Sequence, residues 1–498
     1  MRGATIAICL TLGCAHQPRP PPLTGWRELR SAHFTLRTDL PEDSARSTLE
    51  KLETLRWWLQ AAWSTGGDSP GRTQAIVLED PAELSTFTPM GGLAATSRDG
   101  PLVVTAGQIE GQFGDRSPRM EILAHEVAHD LIRQRLPGAP RWFHEGLAGY
   151  LETVEALDEH RVRFGSFSVV WLGEIPDPGH PLNVLGPRLL SLDETESRRW
   201  ETATGDSLAE LRRSARLWVR MLRLEEPARI RALETALAAG TSWRRAWADL
   251  RKGLDVAAMQ ERMWRVKRTV AWPTEVRPVA ALPGSTTRPN GERLLARWEV
   301  HLARAQLWAI AARMEGGEDA NRHVRTELET AAAAAPDEPL PQIRLAELEL
   351  DPELRRERAE ALVRRFPASA EPRVLLARVL RDGGGPVEGR EAIALAAVRA
   401  APDNVDALTA YALEELRAGD ATGALRSVAR AEELEPWNPT VFVARALVLG
   451  ATGRCDEAVD AMERALDVLP DTPPPGEVQV LVAKRERIST MCRPSTGP

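Results

Sequence analysis

The run Ser117-Pro-Arg-Met-Glu-Ile-Leu-Ala-His125-Glu126-Val-Ala-His129-Asp-Leu-Ile-Arg-Gln-Arg-Leu-Pro-Gly138 and the adjoining Pro140-Arg-Trp-Phe-His144-Glu145-Gly-Leu-Ala-Gly-Tyr150 decide how the N-terminal half of this chain is read. Ser117 and Pro118 supply an N-cap and a first helical position, and Pro137-Gly138 closes the helix. Ile122, Leu123, Val127, Leu131 and Ile132 surround the two histidines with apolar residues, so the helix is buried and its polar groups need partners. Histidines four apart share one helix face, where both imidazoles can bind a single Zn²⁺, and Glu126 beside the first is placed to take a proton from water. A catalytic zinc takes three protein ligands and keeps one position open. The second helix offers two candidates for the third ligand, His144 and Glu145. Glu145 has the small Ala148 and Gly149 on its face while His144 shares its face with Leu147 and Leu151, which favours Glu145.

These residues, His-Glu-Val-Ala-His, fifteen intervening positions, then Glu-Gly-Leu-Ala-x-Tyr after Pro-Arg-Trp-Phe, resemble the gluzincin metallopeptidases, in particular the bacterial peptidase-MA-like domains. The resemblance spans residues 25–271 and is specific over 117–155. It implies an α+β zincin-like domain, a small sheet lobe plus a helical lobe, with one zinc per chain on His125, His129 and Glu145 and with Glu126 as general base. Such domains usually place a Tyr on a later helix to stabilise the oxyanion. The equivalent helix here, around Leu208–Leu222, has none. Tyr411 lies far along the chain, and Tyr150 sits about 140° around its helix from Glu145, facing away from the metal. His160, His180 or one of Arg212, Arg213 and Arg216 would have to substitute, and many members carry Glu where Gly149 stands.

Working outward, His33–Thr38 and Gln74–Leu78 read as strands around a helix from Asp43 to Trp63 whose Leu49, Leu52, Leu55 and Leu59 hold one face. Leu102–Thr105 reads as a further strand, taken as an edge that could pair an extended peptide. From Ser117 the domain is expected to be helical. Residues 272–290, with Pro273, Pro278, Pro283 and Pro289, read as a Pro-rich linker.

Residues 291–498 are rich in Ala, Leu, Glu and Arg with helical periodicity. Overlaying Pro402–Leu434 on Pro436–Val468 matches Asn404 with Asn438, Ala410 with Ala444, Gly419 with Gly453, Ala424 with Ala458 and Ala431 with Ala465, a period of 34. This unit resembles the tetratricopeptide repeat and implies an all-α solenoid that binds a protein partner. Five helical hairpins are expected, with Glu477–Cys492 as the capping helix.

Residues 1–14 have the shape of a secretory signal, and Thr-Leu-Gly-Cys14 resembles a bacterial lipobox in which Cys14 is lipidated. Residues 15–24 then form a Pro-rich tether. Ala15 after the cysteine implies a lipoprotein on the periplasmic side of the outer membrane; the alternative is a soluble periplasmic or secreted protein. In such an oxidising compartment Cys455 and Cys492 are a candidate disulfide. A net charge of -7 without a long basic tract excludes a nucleic-acid binder, and the membrane is reached by the lipid alone. The sequence thus points to an exported, lipid-anchored zinc metallopeptidase acting on a protein or peptide substrate, with a recruiting repeat array. The alternative is a weak or inactive pseudo-peptidase serving as a protein-binding scaffold.

Overall fold

The computed structural model describes residues 25–63, 72–88, 92–97, 100–107, 118–136, 138–166, 189–197, 205–239, 241, 243–266, 274–280, 288–315, 318–383, 389–469 and 476–491. The expected signal, tether, Cys14, His180 and Cys492 lie outside them. No helix among the described residues is long and apolar enough to cross a membrane.

The chain opens with β1 (Arg27–Arg30), β2 (Phe34–Thr38), α1 (Glu42–Trp63), β3 (Thr73–Leu78), α2 (Pro81–Leu84), β4 (Gly92–Ser97) and β5 (Gly100–Ala106). The metal-motif helix α3 (Pro118–Arg135) and α4 (Arg141–Leu151) follow, then β6 (Glu155–Asp158), β7 (Arg161–Phe164) and α5 (Leu192–Ser197). Next come α6 (Gly205–Glu225), α7 (Pro227–Ala238), α8 (Trp243–Arg251), α9 (Val256–Val266), β8 (Glu275–Pro278) and β9 (Gly291–Leu294).

Six strands form a mixed sheet in the order β4-β5-β3-β2-β1-β9. β2, β3 and β5 are parallel, while β4, β1 and β9 run antiparallel to their neighbours. Alternation along β3 sorts its side chains onto two faces. Ala75 and Val77 join Leu36, Val103, the leucines of α1 and the apolar residues of α3 in the main core. Ile76 and Leu78 face the other way, with Trp26, Leu102 and Val104.

That second face is covered by α10 (Arg297–Glu315), whose Val300, Ala303, Leu307 and Ile310 seal it. Elements on either side of the stretch read as linker therefore belong to the first lobe's architecture. β9 pairs with β1 at the sheet edge, and β8 lies within 272–290 and completes a second antiparallel sheet, β6-β7-β8. The segment after Ser117 is thus not wholly helical. β8 and β9 read Glu-Val-Arg-Pro and Gly-Glu-Arg-Leu, too short and too exposed to show an apolar alternation. Leu102–Thr105 is interior to the sheet, between β3 and β4, and the edge strand on that side is β4.

The remaining helices are α11 (Glu318–Ala334), α12 (Pro339–Glu347), α13 (Pro352–Arg365), α14 (Glu371–Gly383), α15 (Arg390–Ala400), α16 (Val405–Arg417), α17 (Ala421–Leu434), α18 (Pro439–Ala451), α19 (Cys455–Asp467) and α20 (Glu477–Met491). From α10 onward they form a helical repeat solenoid: successive helices pack as five hairpins, with α20 against the last. The 34-residue period has a physical content at each matched position. Asn404 and Asn438 cap α16 and α18 by accepting backbone N–H bonds from Ala407 at 3.0 Å and Thr440 at 2.9 Å. Gly419 and Gly453 occupy the interhelix turns at φ +88° and +74°, a region that glycine enters without strain. Ala424, Ala431, Ala458 and Ala465 are fully buried where helices cross closely.

The last hairpin returns to the first lobe. Glu463 of α19 pairs with Arg244 of α8, and Arg464 lies against Gly138 in the turn joining α3 to α4. Cys455 is disulfide-bonded.

α4 is buried on nearly every side and α6 packs closely along it. A Cβ added at Gly146 would sit 2.4 Å from Val219 Cγ2 and 2.5 Å from the Ala215 carbonyl oxygen. Gly146→Ala therefore forces the two helices apart and should cost about 1–3 kcal/mol. The measurement is the urea midpoint, expected to fall at constant slope; an unchanged midpoint would mean that α4 and α6 separate freely.

Candidate metal centre

α3 presents His125 and His129 on one face, and α4 brings Glu145 to them. The Nε2 atoms of the two histidines are 3.0 Å apart. His125 Nε2 is 3.6 Å from Glu145 Oε2, and His129 Nε2 is 3.9 Å from Glu145 Oε1. Tetrahedral zinc with bonds of about 2.0–2.2 Å sets its ligand atoms about 3.4 Å apart, and these separations bracket that figure. All three residues are buried, Glu145 completely. Neither Glu145 oxygen accepts a hydrogen bond of ordinary geometry. A buried carboxylate left in this state is the donor a cation would satisfy. Among the described residues this is the one cluster with metal-ligand geometry.

The charges around the cluster come from α6. Arg212 Nε lies 3.4 Å from Glu145 Oε2. Burial alone would raise the Glu145 carboxyl, but Arg212 and the two histidines outweigh it and hold it well below the usual carboxylate range. Burial would lower His125, yet Glu145 and Glu152 push it up to about 9. His129 is held well below its ordinary value by burial and by the charge on His125.

Glu152, which the sequence reading missed, accepts from His125 Nδ1 at 2.7 Å. It stands seven residues after Glu145, two helical turns on, just past the end of α4 and on the same face; that spacing is the signal that could have found it. A carboxylate on the far nitrogen fixes the ring and leaves Nε2 for a metal. On α3 itself, Asp130 accepts from Thr73 at the start of β3 and from Gln134 at 3.0 Å, tying the motif helix to the sheet.

The other candidates fall out differently. His144 is buried and stacks on His129 at 6.1 Å, outside the ligand set. Glu126 is half-buried on α3, next to His125. His160 is exposed in the β6–β7 turn, its backbone engaged by Asp158 and Val279, whereas the cluster is buried. Arg212, rather than Arg213, is the α6 arginine on Glu145. Tyr150 does face away: its hydroxyl donates to Glu275 of β8, its ring packs edge-on to Phe164 and Arg223 sits over it. Gly149 lies against Arg216 of α6, so the small face of α4 serves the approach of α6 rather than that of α3.

Comparison with known proteins adds little at this site. No protein-family model matches the chain, and no curated protein matches it. Solved structures that are similar include TTC0263, a thermophilic TPR protein of Thermus thermophilus, at 20% identity over 38% of this chain and 98% of that one, with a TM-score of 0.30. The MamA protein follows at 15% identity, 40% and 98% coverage and a TM-score of 0.24. Yeast Tom70 matches at 13% identity over 78% of each chain, with a TM-score of 0.29. At these scores the overlap carries no argument about function.

If Glu145 is a ligand and His144 is not, Glu145→Ala should weaken zinc binding at least a hundredfold, while His144→Ala changes it less than threefold. Glu152→Ala should fall between, at about 10–100-fold. Competition against a chelator of known affinity reads all three; the reverse order for the first two would reassign the ligand.

Proposed function

We propose that this chain is a zinc-dependent peptidase of zincin type, with a tetratricopeptide-like array that brings protein partners or substrates to it. The observation that carries the reading is the convergence of His125, His129 and the fully buried Glu145 from two helices, with Glu126 adjacent. Zinc held by these three side chains would supply Lewis acidity to a substrate carbonyl and to water. Glu126 takes the proton of the attacking water and passes it to the leaving amine. Arg212, its Nε 3.4 Å from Glu145 Oε2, is the candidate to stabilise an oxyanion. β4, an edge strand among the described residues, packs beside α3 and offers its outer backbone side to an extended peptide. Export and a lipid anchor at Cys14 belong to the same proposal and rest on the N-terminal sequence alone.

A second reading has its own support. The chain has 2 tyrosines. One is committed to Glu275 and the other lies in α16 of the repeats, so no phenol serves the cluster. This favours a catalytically weak domain in which the helical array does the work as a protein-binding scaffold. Glu126→Gln separates the two. The peptidase reading expects hydrolysis of a peptide library to fall about 10²–10⁴-fold with zinc content unchanged. Equal rates for the two proteins would remove the enzyme and leave the scaffold.

A further inference from the structure

We infer that Arg216 is a positioning residue for the metal centre, holding Glu152 against His125, and that it can do so because residue 149 is glycine. The inference rests on the zinc reading for its function and on geometry for its existence. Arg216 and Arg212 stand one turn apart on α6, and each reaches a different glutamate. Arg212 meets the proposed ligand Glu145, and Arg216 Nη2 lies 3.4 Å from Glu152 Oε2. That same oxygen takes the His125 Nδ1 proton at 2.7 Å, while Glu152 Oε1 accepts no hydrogen bond. The orientation of a buried carboxylate is thus set by two groups through a single oxygen. Removing the guanidinium leaves the imidazole as its one remaining contact there and lets the carboxylate swing.

The route by which Arg216 arrives is specific. Its side chain crosses α4 at Gly149, where an added Cβ would stand 2.4 Å from both its Cγ and its Nε. A collision at Cγ cannot be relieved by moving the tip of the side chain. Any larger residue at 149 displaces Arg216 as a whole and so withdraws the charge from Glu152 without touching a ligand. Gly149 has an ordinary negative φ, so the demand for glycine comes from this crossing rather than from the backbone. With Glu152 fixed, the His125 ring keeps its Nδ1–H directed at the carboxylate and its Nε2 directed at His129 and Glu145.

The test uses the full chain with Arg216→Met, Arg216→Lys, Gly149→Ala and the double variant Gly149→Ala/Arg216→Ala. Two quantities are read: zinc affinity by chelator competition, and the hydrogen-bonded Nδ1 proton of His125 in metal-free protein labelled with ¹⁵N-histidine, assigned by its absence in His125→Gln. Arg216→Met and Gly149→Ala should each weaken zinc binding about tenfold and lose the proton resonance to solvent exchange. Arg216→Lys should retain the resonance and most of the affinity. The double variant, whose alanine at 216 lacks the colliding Cγ, should bind zinc no worse than Arg216→Met alone. A resonance that persists in Arg216→Met, zinc affinity within twofold of the parent, or effects that multiply in the double variant would each overturn the inference. A parent chain that takes up no zinc but shows the expected pattern of resonances would count against the zinc reading and in favour of the positioning role.

Discussion

Glu145 is a carboxylate with no solvent exposure and no conventional hydrogen bond, and the lobe around it is arranged to make that tolerable. Stranding such a charge costs several kcal/mol unless opposite charge is brought close. His125 from α3 and Arg212 from α6 do so, and each needs its own support. His125 is backed by Glu152, and α3 is pinned to the sheet through Asp130 and Thr73. Arg212 can reach because α6 packs close along α4, an approach that Gly146 and Gly149 allow. From the same helix Arg220 reaches the Ser166 carbonyl just after β7 and Arg223 pairs with Glu234 of α7 at 2.7 Å, so α6 sends cations to several of its neighbours.

The last hairpin of the solenoid bears on the same elements. Arg464 touches the turn between the two helices that carry the proposed ligands. Arg244 sits on α8, whose Trp243 and Trp247 pack on Trp142 and Phe143 at the start of α4. Contacts of this polar, limited kind between lobes are ordinarily reversible.

Much of this was legible in the sequence where a local rule had a local cause. Histidines at i and i+4 must share a face, and Asn404 and Asn438 at a 34-residue interval must cap equivalent helices. The argument that favoured Glu145 was partly mistaken, since Gly149 faces Arg216 of α6. What escaped was set by tertiary pairing. β8 and β9 have no apolar alternation because each is an edge strand held by backbone bonds. α10 reads as the first repeat helix, yet one of its faces covers the sheet with Val300, Leu307 and Ile310. The choice of Arg212 over Arg213 depends on which side of α6 meets α4, which a stretch with arginines at 212, 213 and 216 does not reveal.

The central claim is that the buried glutamate and the two histidines hold zinc. The most direct measurement is metal content together with zinc-edge X-ray absorption on protein purified from residue 15 onward without added metal or chelator. The account predicts about one zinc per chain, with two imidazole nitrogens and a carboxylate oxygen among its nearest neighbours. A chain that carries no zinc and takes none up on titration would contradict it, and would leave the helical repeats as the place to look for function.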